Sequence, residues 1–244
     1  AGLQDSYLSL KEALVHAGAA HRLKVNICWI EAETLEKGQV NSVLSDKDGI
    51  LVPGGFGIRG IEGKIGAVGF ARKNKIPYFG ICLGMQCAAI EYARNVARLE
   101  RADSTEFDPT TPHKIFFLWR ELQPDHDLGG TMRLGQYSCC LEKDSFSYKA
   151  YRKTIIYERH RHRYEFNPAY EEILARAGLC FAGRNPRHNL VEIIEIKDHP
   201  WFVGCQFHPE FKSKPLVSHP LFKDFIGASY AHRLERIKRS QGQC

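Results

Sequence analysis

The sequence predicts an α/β fold, with a mostly parallel central sheet flanked by helices on both faces and a smaller antiparallel extension. Short apolar runs alternate with helix-like stretches through the first half of the 244-residue chain, which is typical of parallel strands joined by helices. The second half contains many strand-like segments in a row, which favours antiparallel pairing. Open α/β sheets bind ligands at the carboxyl ends of their strands, so a site is expected there.

Apolar periodicity and turn residues predict the elements in chain order. The first half is predicted to contain a helix over 5–17 ended by Gly18, strands over 25–30 and 50–52, a helix over 64–74, a strand over 76–81 and a helix over 85–96. The second half is predicted to contain strands over 115–119, 132–141, 155–164, 179–182, 191–196 and 201–207, with helices over 168–177 and 220–238. Asn167 and Pro168 are suited to begin the first of these two helices. Residues 103–113 and 123–130 are predicted to be irregular loops.

Length and composition favour one medium-large domain over residues 1–244, without a membrane span or a nucleic-acid partner. No apolar run approaches the roughly 20 residues that a membrane span requires. The net charge of +6 comes partly from a basic stretch at 233–239 that Glu235 interrupts, as on a solvated helix face. The 8 cysteines include no Cys-x-x-Cys pair and no signal-peptide pattern is present, so we expect a reducing cytoplasm and no disulfide framework.

Cys82 is the strongest candidate for a catalytic residue. It stands between a predicted strand and a predicted helix, with Gly80 and Gly84 two residues away on either side. This is the pattern of a nucleophile elbow, whose small neighbours leave room for a strained turn. The unpaired N–H groups of the first helical turn favour a thiolate there. Cys82 is therefore predicted to be a reactive nucleophile.

His208 is the candidate base for this nucleophile. Pro209 biases His208 away from helical backbone, and in an extended chain His208 and Glu210 would face the same side. The carboxylate could then fix the imidazole tautomer while the other ring nitrogen exchanges a proton with Cys82. The sequence predicts a triad in the chain order Cys, His, Glu.

A glycine-rich loop, Pro53-Gly54-Gly55-Phe56-Gly57, follows the predicted strand at 50–52. Glycines let backbone N–H groups approach a substrate closely, so the N–H groups of Gly55 and Leu83 are predicted to form an oxyanion hole. Taken alone, Gly54 and Gly55 would favour an ordinary tight turn. The elbow and the His-Pro-Glu sequence favour the oxyanion hole instead.

The elbow with Gln86 after it, the Pro-Gly-Gly-Phe-Gly loop and the His-Pro-Glu sequence resemble class I glutamine amidotransferase domains. Further segments are similar to the glutaminase domains of CTP synthases over nearly the whole chain: Arg59 to Lys64, Ser104 to Phe107, Gly129 to Gly135, and Glu158 to Glu165. Each string alone is weak evidence, but their joint order is specific. The resemblance implies a class I glutamine amidotransferase-like fold.

The resemblance implies that Cys82 attacks L-glutamine, with His208 and Glu210 completing the catalytic triad. It implies that residues of the loop and elbow contact the substrate, namely Gly55, Leu83, Gly84, Met85 and Gln86. Glu106 would bind the α-amino group and Arg163 the α-carboxylate, and such a pair of charges suits a free amino acid. Without the resemblance, Glu106 would be interpreted as a capping or surface carboxylate.

The resemblance also implies a separate synthetase domain, which binds ATP, Mg²⁺ and UTP and uses ammonia to make CTP in a homotetrameric enzyme. This chain has no Gly-rich phosphate loop ending in Lys-Ser or Lys-Thr, so we expect no cofactor in this domain. GTP is the implied allosteric activator. Arg59, in the loop at 56–63, is the candidate contact to GTP or to the synthetase domain; the alternative is a solvent-facing arginine. A strand is implied just before the segment at 3–14.

Two other functions stay open. Another cysteine hydrolase, such as a peptidase or a γ-glutamyl hydrolase, would use the same elbow, although Glu106 and Arg163 favour a free amino acid. A catalytically silent module that regulates or assembles a larger enzyme is the second, although the intact triad favours chemistry. A metal site at His160 and His162 is disfavoured, because two histidines are too few ligands and no acidic or thiol partner stands at a ligand spacing.

Overall fold

The last strand of the chain pairs with the strand that precedes Cys82. In the computed structural model, which describes residues 7–118 and 132–241, the strands are β1 (Ile50–Val52), β2 (Tyr78–Ile81), β3 (Asp103–Ser104), β4 (Lys114–Leu118), β5 (Arg133–Leu141), β6 (Ile155–His162), β7 (Tyr164–Phe166), β8 (Leu179–Arg184), β9 (Val191–Ile196) and β10 (Phe202–Cys205). The central sheet has the order β1-β2-β10-β9-β8-β5-β6, and a smaller sheet has the order β3-β4-β7. The pairs β1-β2 and β2-β10 are parallel, and the other pairs of the central sheet are antiparallel. The predicted α/β class is confirmed, with the parallel pairs gathered at the β1 edge.

Helices cover both faces of the central sheet. They are α1 (Leu8–Ala20), α2 (Ala32–Thr34), α3 (Val40–Leu44), α4 (Ile61–Asn74), α5 (Leu83–Asn95), α6 (Phe146–Tyr151), α7 (Glu171–Arg176) and α8 (Pro220–Gln241). α4 packs on α5 in one apolar core, and α1 packs on α8 in the other. None of the helices within the described ranges is long and apolar enough to cross a membrane.

Strand β2 separates the two cores by alternating its side chains. Tyr78 belongs to the first core and stacks on Phe202, with ring centroids 4.5 Å apart. Phe79 belongs to the second core and meets the edge of Phe222 at 5.1 Å. Each aromatic side chain is fully buried and contributes about 1.5–3 kcal/mol by leaving water. The strand before Cys82 is therefore fixed from both sides.

The prediction that Gly18 ends the first helix is wrong, because α1 continues to Ala20. The role of this glycine is to allow a close approach. A Cβ atom at position 18 would lie 2.7 Å from Val25 Cγ2 and 2.8 Å from the Leu23 carbonyl oxygen. The chain after the helix therefore folds back against a position that has no side chain.

The prediction of a strand at 25–30 is wrong. Side chains from 23 to 28 alternate between half-buried and exposed, and this alternation gives the sequence its strand-like pattern. A strand also requires a hydrogen-bonded neighbour, and within residues 7–118 and 132–241 β1 pairs with β2 alone. The segment therefore has the side-chain pattern of a strand but no hydrogen-bonded neighbouring strand among the described residues.

The strand predicted at 155–164 is two strands in different sheets. β6 ends at His162, and β7 begins at Tyr164 and pairs with β4. Arg163 lies where the chain passes from one sheet to the other. A single periodic run in the sequence cannot reveal such a change of partner.

The remaining predicted elements are present. The strands at 50–52 and 191–196 have the predicted ends, and the ends of the others are shifted. The helix predicted at 168–177 begins as a 3₁₀ turn at Pro168–Tyr170, where the Asn167 side chain accepts a hydrogen bond from Ala169 N as a cap, and it continues as α7. The short helices α2, α3 and α6 were not predicted, since a few residues show no helical period. Within the loop predicted at 103–113, two residues form β3. Trp119, the loop at 123–130 and the first residues of the predicted helix at 5–17 lie outside the described residues.

The turn around Cys82 is crowded on both sides. Cys82 has φ 50° and ψ −102°, a left-handed conformation that costs energy for a residue with a side chain. A Cβ atom on Gly80 would lie 2.6 Å from the Gly84 carbonyl carbon. A Cβ atom on Gly84 would lie 2.1 Å from the Val52 carbonyl oxygen. Both glycines are required for the strand, turn and helix to pack this closely, as the elbow pattern predicts.

We expect the substitution Gly84→Ala to destabilise the protein by at least about 1–3 kcal/mol, because the added methyl group collides with the β1 backbone. The matched control is Gly66→Ala in α4, where a Cβ would lie an ordinary 3.5 Å from Val40 Cγ2. This control should be neutral or stabilising by up to about 1 kcal/mol. Urea unfolding followed by circular dichroism measures both; equal midpoints for the two variants would contradict the crowding argument.

Candidate active site

Cys82 lies at the amino terminus of α5 and is 5% exposed. Its backbone N–H donates to the Cys205 carbonyl oxygen at 2.7 Å, which continues the pairing of β2 with β10 past the end of β2. Cys82 directly precedes the first turn of α5. The N–H groups of a first helical turn have no intrahelical partner, and with the helix dipole they favour negative charge at this position. The sequence-predicted nucleophile therefore stands at the end of a strand and the start of a helix, as predicted.

His208 is held beside Cys82 by its backbone and by Glu210. Its N–H donates to the Arg159 carbonyl oxygen in β6 at 2.8 Å, and its Nδ1 lies 2.7 Å from Glu210 Oε1. The predicted extended backbone is wrong, since Pro209–Lys212 forms a 3₁₀ turn. The turn still brings the carboxylate to the ring because the Glu210 side chain reaches back to it.

The charge state of His208 is set by its two partners. Burial alone would lower the pKa of His208, but hydrogen bonds to the Cys82 and Glu210 side chains outweigh burial and raise the pKa to about 10. The imidazole is then protonated at neutral pH. The imidazolium places a positive charge and a proton donor beside the Cys82 sulfur, an arrangement that suits nucleophilic attack by sulfur with histidine as the proton carrier.

The glycine-rich loop passes directly over this pair. A Cβ atom on Gly54 would lie 2.7 Å from His208 Cε1 and 3.6 Å from Cys82 Cβ. A Cβ atom on Gly55 would lie 3.1 Å from Leu83 Cδ2, so the two predicted oxyanion donors are neighbours in space. Glycine is thus needed for the loop to approach the sulfur, beyond the needs of a tight turn. The oxyanion role itself stays a prediction.

Glu106 is tied to the same loop. Its Oε1 accepts a hydrogen bond from the Gly57 N–H at 2.9 Å, and Gly57 has a left-handed φ of 78°. The carboxylate is partly buried. This placement connects the predicted binder of the α-amino group with the loop that carries Gly55, and the binding role stays a prediction.

The other predicted substrate contacts lie in two places. Gly84, Met85 and Gln86 are buried in the first turn of α5, directly after the nucleophile. Arg163 is exposed at the junction of β6 and β7. Arg59 is also exposed, and its guanidinium hydrogen-bonds the Glu33 carboxylate. Their roles in binding glutamine and GTP stay predictions.

Gln206 is a polar residue of the site that is not among the site residues predicted from the sequence. Its Nε2 lies 3.6 Å from Cys82 Sγ, and its Oε1 lies 3.4 Å from Gln86 Nε2. The side chain is fully buried. A signal was present in the sequence, because Gln206 is an amide in an apolar run two positions before His208.

A cluster of buried charged side chains lies next to the strands that hold His208. Its members, here called the buried charged cluster, are Arg133, His160, His162, Glu165 and Glu192. Arg133 bridges the two carboxylates, at 2.6 Å from Glu192 and 3.3 Å from Glu165. Glu165 also lies 2.7 Å from His162 Nε2. The cluster joins β5, β6, β7 and β9. The backbone N–H groups of Gln206 and His208 donate to two of these strands, at Glu192 and Arg159.

The buried charged cluster corrects one expectation. We expected no acidic partner near His160 and His162, but Glu192 and Glu165 reach them. Burial lowers the pKa of His160, and burial raises the pKa of Glu192 despite the neighbouring Arg133. The guanidinium supplies the positive charge that a metal ion would bring. Among the described residues, no group of three or more His, Cys, Asp or Glu side chains is arranged to hold a metal.

The described cysteines are free thiols. Burial raises the pKa of Cys87 to about 12 and raises that of Cys205 well above the ordinary thiol value. These two therefore stay protonated at neutral pH. Both thiols are fully buried and pack as small apolar side chains.

Comparison with known proteins agrees with this geometry. The family model described as glutamine amidotransferase class-I matches residues 2–228. The chain is 60% identical over 237 residues to a CTP synthase of Koribacter versatilis and 57% identical over 238 residues to a CTP synthase of Acidobacterium capsulatum. These matches cover 96% and 98% of this chain but 42% and 43% of the two relatives, so the chain spans less than half of their length.

A solved structure is similar over most of its length. It is the glutaminase domain of the Trypanosoma brucei CTPS with bound acivicin, with a TM-score of 0.88 and 38% sequence identity. The superposition covers 94% of this chain and 90% of that one. A GMP synthase subunit from Thermoplasma acidophilum, described as putative, matches with a TM-score of 0.53 at 18% identity, which supports the fold alone.

We expect Arg133→Met to cost about 3–5 kcal/mol of unfolding free energy, because the buried Glu165 carboxylate and the buried Glu192 carboxyl group lose the guanidinium that they share. Adding Glu192→Gln should recover part of this loss. The control is Arg176→Met, which removes the exposed pair with Glu172 and should cost no more than about 0.5 kcal/mol. Urea titration at pH 7 measures all three; an effect of Arg133→Met as small as the control would contradict the structural role of the cluster.

We expect the His208 imidazole to titrate with a midpoint near pH 10, and Cys82→Ala to lower that midpoint because one of the two stabilising partners is lost. NMR of ¹⁵N-labelled histidine measures both, with Cys28→Ala, an exposed thiol outside the site, as the control. Because the folded-state pKa is raised above the ordinary value of about 6.5, His208 adds stability that is full below pH 6.5. This contribution disappears as the pH rises to about 10. A wild-type midpoint near pH 6.5 would contradict the interpretation.

Proposed function

The chain belongs to the glutamine amidotransferase class-I family, and from this premise we propose that it hydrolyses L-glutamine to glutamate and ammonia. The observation that carries the proposal is the buried Cys82 at the elbow, beside a His208 that Glu210 orients at 2.7 Å. A thiolate, a protonated imidazole and nearby N–H donors are what hydrolysis of an amide through a thioester requires.

The first half-reaction forms the thioester. The Cys82 thiolate attacks the side-chain carbonyl carbon, and the N–H groups of Gly55 and Leu83 stabilise the oxyanion. Since Nδ1 of His208 faces Glu210, the Nε2 proton is the one donated to the departing nitrogen. The carbon–nitrogen bond breaks, ammonia leaves and the acyl group stays on sulfur.

The second half-reaction returns the enzyme to its starting state. Having given up its proton, His208 is neutral and takes a proton from an incoming water molecule. The water oxygen attacks the thioester carbonyl carbon, the carbon–sulfur bond breaks and glutamate is released. The thiolate and the imidazolium are restored, so the proton count balances over the cycle.

Glu106 and Arg163 give the proposed selectivity for a free amino acid. Glu106 would hold the α-ammonium group and Arg163 the α-carboxylate, while Gly84, Met85 and Gln86 line the side-chain end. The partly buried position of Glu106 beside the loop supports its part in this assignment. A peptidase that cleaves within a chain needs no binding group for both charges, so these residues favour a substrate with a free α-ammonium and a free α-carboxylate, such as glutamine.

The larger reaction is proposed from the relatives. In a CTP synthase, ammonia released here would serve the ATP- and Mg²⁺-dependent amination of UTP to CTP by a synthetase domain, with GTP as the activator and a tetramer as the assembly. The identities of 60% and 57% to CTP synthases support this role. Arg59 is the proposed contact to GTP or to the synthetase domain. Its side chain is exposed and pairs with the Glu33 carboxylate, so it can change partners without leaving a buried charge unpaired.

We expect a glutamine-analogue diazoketone to label Cys82 covalently and block glutamate and ammonia release, because the analogue places its reactive carbon at the sulfur. Mass mapping identifies the labelled residue, and glutamate release is measured with and without GTP. Cys82→Ser should lose labelling and lower kcat by about 10³ or more, whereas Cys28→Ala should retain both.

Three outcomes would contradict the proposed function. Labelling at Cys87 or Cys139 with Cys82 unmodified would remove Cys82 from the reaction. Cleavage of a γ-glutamyl peptide without cleavage of glutamine would favour the rival hydrolase. Lack of turnover together with normal labelling of Cys82 would favour a silent module that retains a reactive thiol.

A further inference from the structure

We propose that the side-chain amide of Gln206 is a further catalytic group of this site, which donates a hydrogen bond to the Cys82 sulfur and so stabilises and aims the attacking thiolate. The inference rests on the proposed reaction at Cys82. It gives a role to a residue that lies outside the triad, the oxyanion donors and the predicted glutamine contacts.

Distance and burial place the amide against the reacting atom. Gln206 Nε2 lies 3.6 Å from Cys82 Sγ, a hydrogen-bond distance for an acceptor as large as sulfur. Gln206 is fully buried and Cys82 is 5% exposed, so the contact is shielded from water. A hydrogen bond to a charged acceptor in such surroundings is stronger than one at the surface.

The orientation of the amide is fixed from both ends. Gln206 Oε1 lies 3.4 Å from Gln86 Nε2, which can only donate. The opposite orientation would turn the Gln206 NH₂ group towards the Gln86 NH₂ group and its carbonyl oxygen towards the sulfur. A thiolate can only accept, so both contacts of that alternative would be repulsive. The donor of Gln206 therefore faces Cys82.

The backbone of Gln206 is held as firmly as its side chain. Its N–H donates to the Glu192 carbonyl oxygen at 2.8 Å, next to the pairing of β10 with β9. On its other side, β10 pairs with β2, and this pairing places Cys205 opposite Ile81, one residue before Cys82. The amide is thus preorganised, and no rearrangement is needed for it to meet the sulfur.

The amide and His208 approach the sulfur as two separate donors. The imidazolium must give its proton to the leaving nitrogen, and its attraction for the sulfur is lost at that step. The amide keeps its protons through the cycle, so it can stabilise the thiolate again when the thioester is hydrolysed. Gln206 therefore supports sulfur both as the attacking group and as the leaving group.

The test compares Gln206→Met, which has similar length but no donor, with Gln206→Glu, which can place a carboxylate against the sulfur. We measure iodoacetamide alkylation of Cys82 at pH 6.5 and at pH 9, with mass mapping of the site. The rate at pH 6.5 should fall about 10- to 100-fold in Gln206→Met and further in Gln206→Glu, with a smaller fall at pH 9. Gln136→Met, an exposed glutamine on β5, is the matched control and should leave both rates unchanged.

Steady-state kinetics provide a second readout. In Gln206→Met, kcat should fall about tenfold while the KM for glutamine changes less than about twofold, since the amide contacts sulfur and not substrate. A purely structural role would lower the melting temperature and leave the ratio of the two alkylation rates as in wild type. That result, in either variant, would overturn the proposal.

A third measurement keeps Gln206 intact, so it does not depend on the folding of either variant. In ¹⁵N spectra, Cys82→Ala should shift one Gln206 Nε2 proton upfield, because its acceptor is lost, while Cys28→Ala should not. Unchanged Gln206 resonances would overturn the proposal. Alkylation and NMR need no glutamine, so a failure of glutamine hydrolysis in wild type would count against the proposed function and not against the contact.

Discussion

The parallel pairing of β2 with β10 is the constraint on which the site depends. It sets Gly80 opposite Gly204 and Ile81 opposite Cys205, and it continues through the hydrogen bond from Cys82 N to the Cys205 carbonyl oxygen. Residues that follow the two strands then meet at the same edge of the sheet. The proposed nucleophile follows one strand, and its proposed imidazole partner follows the other. A shift of one residue in this register would turn the side chains after β10 to the opposite face.

Local features of the fold could be predicted from the sequence, because they depend on neighbours in the chain. The elbow is one example, since glycines two residues from Cys82 are required by crowding within a single turn. The cap at Asn167 is another. The segment at 25–30 shows the limit, because its alternating pattern is real but a strand also needs a partner elsewhere. The predicted strand at 155–164 is split at Arg163 for the same reason. Its first part pairs in the central sheet and its last part pairs in the smaller sheet.

The candidate site shows the same difference between contacts of chain neighbours and contacts of distant segments. His208 and Glu210 were paired correctly from a sequence spacing of two, although the backbone between them is a 3₁₀ turn and not extended chain. Contacts between distant segments were missed. The buried charged cluster depends on Arg133 reaching Glu192 on another strand, and the approach of Gln206 to Cys82 depends on sheet pairing. Sequence spacing carries no information on which side chains will meet across strands.

The hydrogen bond between Glu106 and Gly57 N–H has a thermodynamic consequence. One carboxylate touches the loop that carries Gly55 and is also the proposed partner of the substrate ammonium group. A ligand that polarises or moves this carboxylate must alter the free energy of the loop, and by linkage the loop position must alter ligand affinity by the same factor. Substrate binding and the position of the proposed oxyanion donor are then coupled in a single equilibrium.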